Sequence, residues 1–155
     1  MSPTIVLITG ANRDLGKGLP QRYLALPNQT VTAANRDPSH ESSKKLFDLR
    51  KGSGSILIIV KIEASIEQDA FDAVQELQDK HNIQHIDIVI ANAGVSYIWP
   101  TVADLKISDL KPNIEPNVYG LISTTKQHDF CCRNQRIPFS HLWAPRPGQL
   151  RVNFR

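Results

Sequence analysis

Thr4-Ile5-Val6-Leu7-Ile8-Thr9-Gly10-Ala11-Asn12-Arg13-Asp14-Leu15-Gly16-Lys17-Gly18 decides how this chain folds: a short apolar run stops at a glycine-rich turn and passes into helix-forming residues. The run contains β-branched Ile and Val and has the length of a strand buried on both faces of a parallel sheet. Gly10 ends it. Glycine has no Cβ and accepts positive φ, so the backbone can turn sharply there and lie close to an anion. The free N–H groups and dipole of the following helix then face that anion. Strand, loop and helix in this order are expected to hold the pyrophosphate of a dinucleotide. A glycine-rich turn by itself also occurs in ordinary strand-to-helix connections, so the rest of the chain has to decide.

Outward from the loop, Leu15, Leu19, Tyr23, Leu24 and Leu26 are spaced as the apolar face of a first helix that stops at Pro27. Pro20 falls inside it, where the missing donor and the ring clash cost about 3 kcal/mol. Gln29 to Ala34 reads as a second strand, Glu41 to Leu49 as a short surface helix, and Ser55 to Lys61 as a third strand. Ser65-Ile66-Glu67-Gln68 has the pattern of a capping box opening a long helix with an apolar stripe of Ile66, Ala70, Phe71, Val74 and Leu77. Ile86 to Ala91 is the fourth strand. Right-handed crossovers place it beside the first, in the order 3-2-1-4, so the loop after it borders the same crevice as Gly10. Leu105 to Thr125 is expected to be mostly helical in spite of Pro112 and Pro116.

At 155 residues the chain is of single-domain length. It has no run of about 18 apolar residues and no signal-peptide pattern at the N-terminus, so the expected compartment is the cytosol and no membrane contact is expected. Cys131 and Cys132 are adjacent, which suits neither an ordinary disulfide nor a metal or redox pair, and they read as free thiols. His81 and His85 flank a connection with no third ligand nearby, so no metal site is expected. The net charge of +3 is unevenly spread. Residues 1–125 carry 12 Lys+Arg against 14 Asp+Glu, whereas residues 126–155 carry 6 against 1. This basic segment also holds Pro138, Pro145 and Pro147, but it lacks helical periodicity and any nucleic-acid reading motif, so nucleic acid is not an expected partner.

The loop reads Thr-Gly-x-x-x-x-x-Gly, and Ala91-Asn92-Ala93-Gly94 follows the fourth strand. Together these resemble the short-chain dehydrogenase/reductase family, whose loop is Thr-Gly-x-x-x-Gly-x-Gly and whose fourth strand ends in Asn-Asn-Ala-Gly. The resemblance runs from about Met1 to about Thr125. It implies an α/β fold, a Rossmann-like doubly wound parallel sheet, here truncated after the fourth strand and the following helix. On this reading residues 1–125 are a partial NADP-binding domain and residues 126–155 an aberrant basic Pro/Arg-rich tail, expected to be irregular.

The resemblance further implies NADP(H) as cofactor. Thr9, Gly10, Asn12, Arg13, Asp14, Leu15 and Gly16 would line the pyrophosphate, although Asp14 stands where the family has its middle glycine. Such a carboxylate would oppose the phosphates unless it serves as the helix N-cap and points away. The second strand ends at Asn35 and Arg36, where an NAD enzyme would place an acidic residue; Arg13 and Arg36 would clasp a 2'-phosphate instead. Glu63 takes the place of an Asp beside the adenine, and Asn92, Ala93 and Gly94 approach the nicotinamide ribose, with Ala91 replacing the motif's first Asn. Asn117 falls at the family's catalytic Asn, which holds a water of the proton relay.

Within the family the chain looks most like fungal ketoreductases of aromatic polyketides in aflatoxin biosynthesis. An aromatic polyketide ketone is therefore the implied substrate, with Tyr97 and Trp99 either forming its wall or simply packing. The family's Ser and Tyr-x-x-x-Lys are absent: none of Tyr23, Tyr97 and Tyr119 has Lys four positions on. The segment after Thr125 reads as an out-of-frame or mis-spliced continuation. Two functions follow from these residues, NADPH-dependent ketone reduction or a catalytically dead dinucleotide-binding fragment. With no fifth strand expected, the fourth would be an exposed apolar edge open to homo-oligomerisation or aggregation.

Overall fold

The computed structural model describes residues 2–131, with side chains described through Lys126. β1 (Thr4–Thr9) lies inside a four-stranded sheet with β2 (Gln29–Asn35), β3 (Ile56–Lys61) and β4 (Ile88–Ile90). The order is β3-β2-β1-β4 and every pairing is parallel, as the crossover rule requires of this chain. α1 (Asp14–Ala25), the short α2 (Glu41–Lys44) with a 3-10 turn over Lys45–Asp48, and α3 (Glu67–His81) connect the strands. α4 (Ile107–Ile114), a π-helical turn (Glu115–Tyr119) and α5 (Gly120–Cys131) follow β4. α5 therefore crosses the change of composition at Lys126, and the rest of the basic segment lies outside the described residues.

The period of two along β1 divides the core. Ile5 and Leu7 point to one face, where they pack with Ile58, Val60 and Ile62 against Ala73, Val74 and Leu77 of α3. Val6 and Ile8 point to the other, with Val31 and Ala33, against Leu24 of α1 and Leu46. Both faces of the strand are covered, so a continuous apolar run, not an alternating one, is what the fold demands.

Several expectations are corrected. Leu15 and Leu26 are not on the buried face of α1: Leu15 is 77% exposed and Leu26 is also exposed. The buried stripe is Gly16, Pro20 and Leu24, spaced four apart, with Leu19 and Tyr23 at its margin. Gly16 lets the start of the helix lie close against the Gly10 carbonyl. Pro20 is thus a packed residue, and its backbone cost of about 3 kcal/mol is offset by burial of Leu24, Val6 and Ile8 at about 1.5–3 kcal/mol each. The capping box at Ser65 does not form. The N-cap of α3 is Ile66, which makes no side-chain cap bond, and the Ser65 hydroxyl instead donates to Glu63 at 3.3 Å. Ile66 and Phe71 are exposed; the buried face of α3 is Asp69, Ala70, Ala73, Val74 and Leu77. β4 is shorter than Ile86–Ala91; just before it the Asp87 carboxylate accepts the Ile5 N–H at 2.8 Å and the Asp87 N–H donates to the Ile5 carbonyl at 2.9 Å.

Candidate functional site

At the C-terminal ends of β1 and β4 the loops meet closely. Gly10 has φ +63°, in the left-handed region glycine tolerates, and a Cβ there would stand 2.9 Å from the Ala93 Cα. Its N–H donates to the Ala34 carbonyl at 2.8 Å, and the Ala11 N–H donates to the buried Asn35 Oδ1 at 2.9 Å. The Thr9 hydroxyl accepts the N–H groups of Asn92 and Ala93, both at 3.0 Å. The Asn92 amide in turn donates to the carbonyls of Thr9 and Gly10 at 3.1 and 3.2 Å. A Cβ on Gly16 would overlap the Gly10 carbonyl and lie 2.7 Å from Asn92 Nδ2. Thr9, Gly10, Gly16, Asn92 and Ala93 are therefore one interlocked unit, in which the residues singled out 83 positions apart touch directly.

Above that unit sits the start of α1. Its N-cap is Arg13, which makes no side-chain cap bond, so the amides of the first turn are left for an anion. An uncapped N-terminus on a 12-residue helix, beside a glycine that keeps the backbone bare, fits a pyrophosphate. Asp14 is the discordant group. It is not the N-cap; it is the first helical residue, with φ +47°. Its side chain is 85% exposed and lies 3.8 Å from Arg13 Nε. Leu15 is also on the outside. Asn12 Nδ2 donates to Ser42 Oγ at 2.8 Å, a contact that joins the loop to α2 and that no local pattern around either residue announces.

Asn35 is buried and spends its carbonyl oxygen on the loop, while its Nδ2 has no protein partner. It supports the loop from below. Arg36 Nε lies 3.5 Å from Glu63 Oε2. Next to it, the Ser39 hydroxyl and amide hold the Asp37 carboxyl below its ordinary range, so Asp37 stays ionised. Glu63 is itself set by Asp69, missed in the sequence, whose buried carboxylate accepts the Glu63 N–H at 2.9 Å and pairs with Lys61 at 3.1 Å.

Asn117 sits in the π-helical turn, where Pro116 supplies no N–H and the Gly120 N–H reaches back five residues to the Glu115 carbonyl. Both ends of its amide face Val95, accepting the Val95 N–H at 2.8 Å and donating to the Val95 carbonyl at 2.7 Å. Gly94 gives it room: a Cβ there would stand 3.1 Å from Asn117 Oδ1. Tyr97 and Trp99, by contrast, face solvent, Trp99 at 89% exposure. Among the described residues no group of three His, Cys, Asp or Glu is placed to hold a metal, and no helix is long and apolar enough to cross a membrane.

A parallel sheet of order β3-β2-β1-β4 with a bare glycine loop and an uncapped helix start at its switch point defines a dinucleotide-binding α/β domain of Rossmann type. The family model for short chain dehydrogenases matches residues 4–129. The chain belongs to that family. It is 41% identical over 119 residues to norsolorinic acid ketoreductase nor1 of Dothistroma septosporum, covering 77% of this chain and 44% of that protein. It is 46% identical over 118 residues to short chain dehydrogenase gsfK of Penicillium aethiopicum, covering 76% and 46%. The chain thus spans less than half the length of these two relatives. Among solved structures, NADPH-bound carbonyl reductase from chicken fatty liver superposes with a TM-score of 0.71 at 24% identity, over 84% of this chain and 52% of that one, a likeness of fold.

Proposed function

We propose that residues 1–125 are the nucleotide-binding part of an NADPH-dependent ketoreductase, acting in the cytosol on an aromatic polyketide ketone of the norsolorinic-acid type. The observation that carries the reading is the uncapped start of α1 over Gly10, locked to Asn92-Ala93-Gly94. The relatives named above, one of them a norsolorinic acid ketoreductase, support the substrate class.

In this reading the first-turn amides of α1 and the backbone from Gly10 to Gly16 bind the pyrophosphate, while Arg13 and Arg36 take the 2'-phosphate. Glu63 borders the adenosine end, and Asn92, Ala93 and Gly94 border the nicotinamide ribose. The bound cofactor supplies a hydride. Asn117 keeps the Val95 backbone in place beside that end, and Tyr97 and Trp99 supply apolar wall for the substrate. No Tyr-x-x-x-Lys is present among the 155 residues to donate the proton, and loss of such a general acid costs about a hundredfold to ten-thousandfold. The 155 residues alone therefore bind NADPH without reducing ketones, and the edge of β4, which no other described strand pairs, promotes self-association.

Titration of NADPH into the folded protein tests the binding half, with saturable uptake expected and none overturning it. Ketone-dependent loss of NADPH absorbance in the same protein would overturn the catalytic half. A monodisperse monomer in light scattering would remove the self-association.

A further inference from the structure

The end of β2 carries no acidic residue, but the fold brings one there from the next strand. In the parallel register Asn35 pairs with Lys61, and the Ile62 N–H donates to the Asn35 carbonyl at 3.0 Å. The chain then places Glu63 alongside Arg36, with Oε2 3.5 Å from Nε. The two partners are not equally free. The Arg36 side chain is 74% exposed, whereas the Glu63 side chain is 22% exposed and accepts from the Ser65 hydroxyl, with its backbone N–H held by Asp69. Arg36 therefore comes to a fixed carboxylate.

We infer that Glu63, positioned by Asp69, is a specificity-determining residue that draws Arg36 toward itself and lowers the site's preference for a 2'-phosphorylated cofactor. The inference rests on the nicotinamide-cofactor reading above. A carboxylate beside Arg36 competes with the 2'-phosphate for its guanidinium and repels that phosphate directly. Holding Arg36 in one orientation favours phosphate binding by sparing rotamer entropy, but Arg36 is mostly exposed and paired only through Nε, so the charge effect dominates.

The test compares the NADPH and NADH affinities of the full chain and of Glu63→Gln, which keeps size and hydrogen-bonding reach while removing the charge. The ratio of NADPH to NADH affinity is expected to rise about threefold to tenfold in the variant. In an Arg36→Ala background the same substitution should change the ratio less, because the competition is gone. An unchanged or lowered ratio in Glu63→Gln, with both cofactors still bound, overturns the inference and leaves the cofactor reading intact. If the chain binds neither cofactor, that reading fails, and 2',5'-ADP against 5'-AMP measures the same ratio at the adenosine end alone. A ratio for these two probes that rises in the variant supports the inference; a flat ratio, or no binding of either, overturns it.

Discussion

The loops around Gly10 and the segment from Val95 to Ile122 border the same crevice, yet they are built in opposite ways. Around Gly10 the polar groups of three strand ends are spent on one another: Thr9 takes two amides, Asn92 bridges two carbonyls, and Asn35 holds Ala11. Between Val95 and Ile122 the large apolar side chains point outward, with Trp99, Val102 and Ile107 almost fully exposed and no buried residue in α4. The Asn117–Val95 pair is the main polar tie between the start of that segment and the helices. The first region is closed by contacts within the described chain, and the second carries many large apolar side chains that stay exposed. The comparison teaches that the loops around Gly10 are closed by their own contacts, whereas the segment after Val95 is not closed by the described residues.

That contrast can be broken most directly at Gly16. Gly16→Ala would drive a methyl into the Gly10 carbonyl and Asn92, and because those atoms are mutually bonded there is nowhere to yield; a loss of about 3 kcal/mol or more is expected in chemical denaturation. A variant as stable as the parent would show that the unit is looser than its contacts suggest. Next in size, Thr9→Val strips the acceptor from two amides at once and should destabilise by about 2 kcal/mol. If the midpoint does not move, water substitutes for the hydroxyl and the interlock is not dry.

Asn117→Ala removes both bonds to the Val95 backbone. Those bonds are exposed, so the stability change should be only about 1 kcal/mol, while amide exchange across residues 95–100 speeds up far more than exchange in β1. Equal acceleration in both would erase the distinction between the regions. Asp14→Gly works the other way, since it relieves an αL backbone and removes a carboxylate from the residue that opens α1. Stability should rise by about 0.5 kcal/mol, after the entropy of glycine is set against the strain, and NADPH should bind about threefold to tenfold tighter; weaker binding would mean that Asp14 assists the loop. Last, Trp99→Ser should leave stability within about 0.5 kcal/mol, because so exposed a side chain has little burial to lose. A larger fall would reveal packing on the side taken here to be open.

The sequence by itself determined the elements whose causes are local. Strand β1 stopping at Gly10, the order of strands, the loop at the switch point and the placing of the loop after β4 in the same crevice all follow from apolar run length, glycine punctuation and the single permitted crossover hand. Only the tertiary structure decided which faces and partners those elements use. Leu15 looked like core and is not: α1 is rotated so that Gly16, Pro20 and Leu24 form its buried stripe. Ser65 fitted a capping pattern, but Asp69, six residues beyond Glu63, turned toward the strand end and the Ser65 hydroxyl went to Glu63. Arg36 read as free for a phosphate until the β2–β3 register laid Glu63 beside it. Periodicity and turn chemistry act over a few residues and are written in order along the chain, whereas a contact between strand ends depends on register and helix rotation, which are settled only when all the layers pack together.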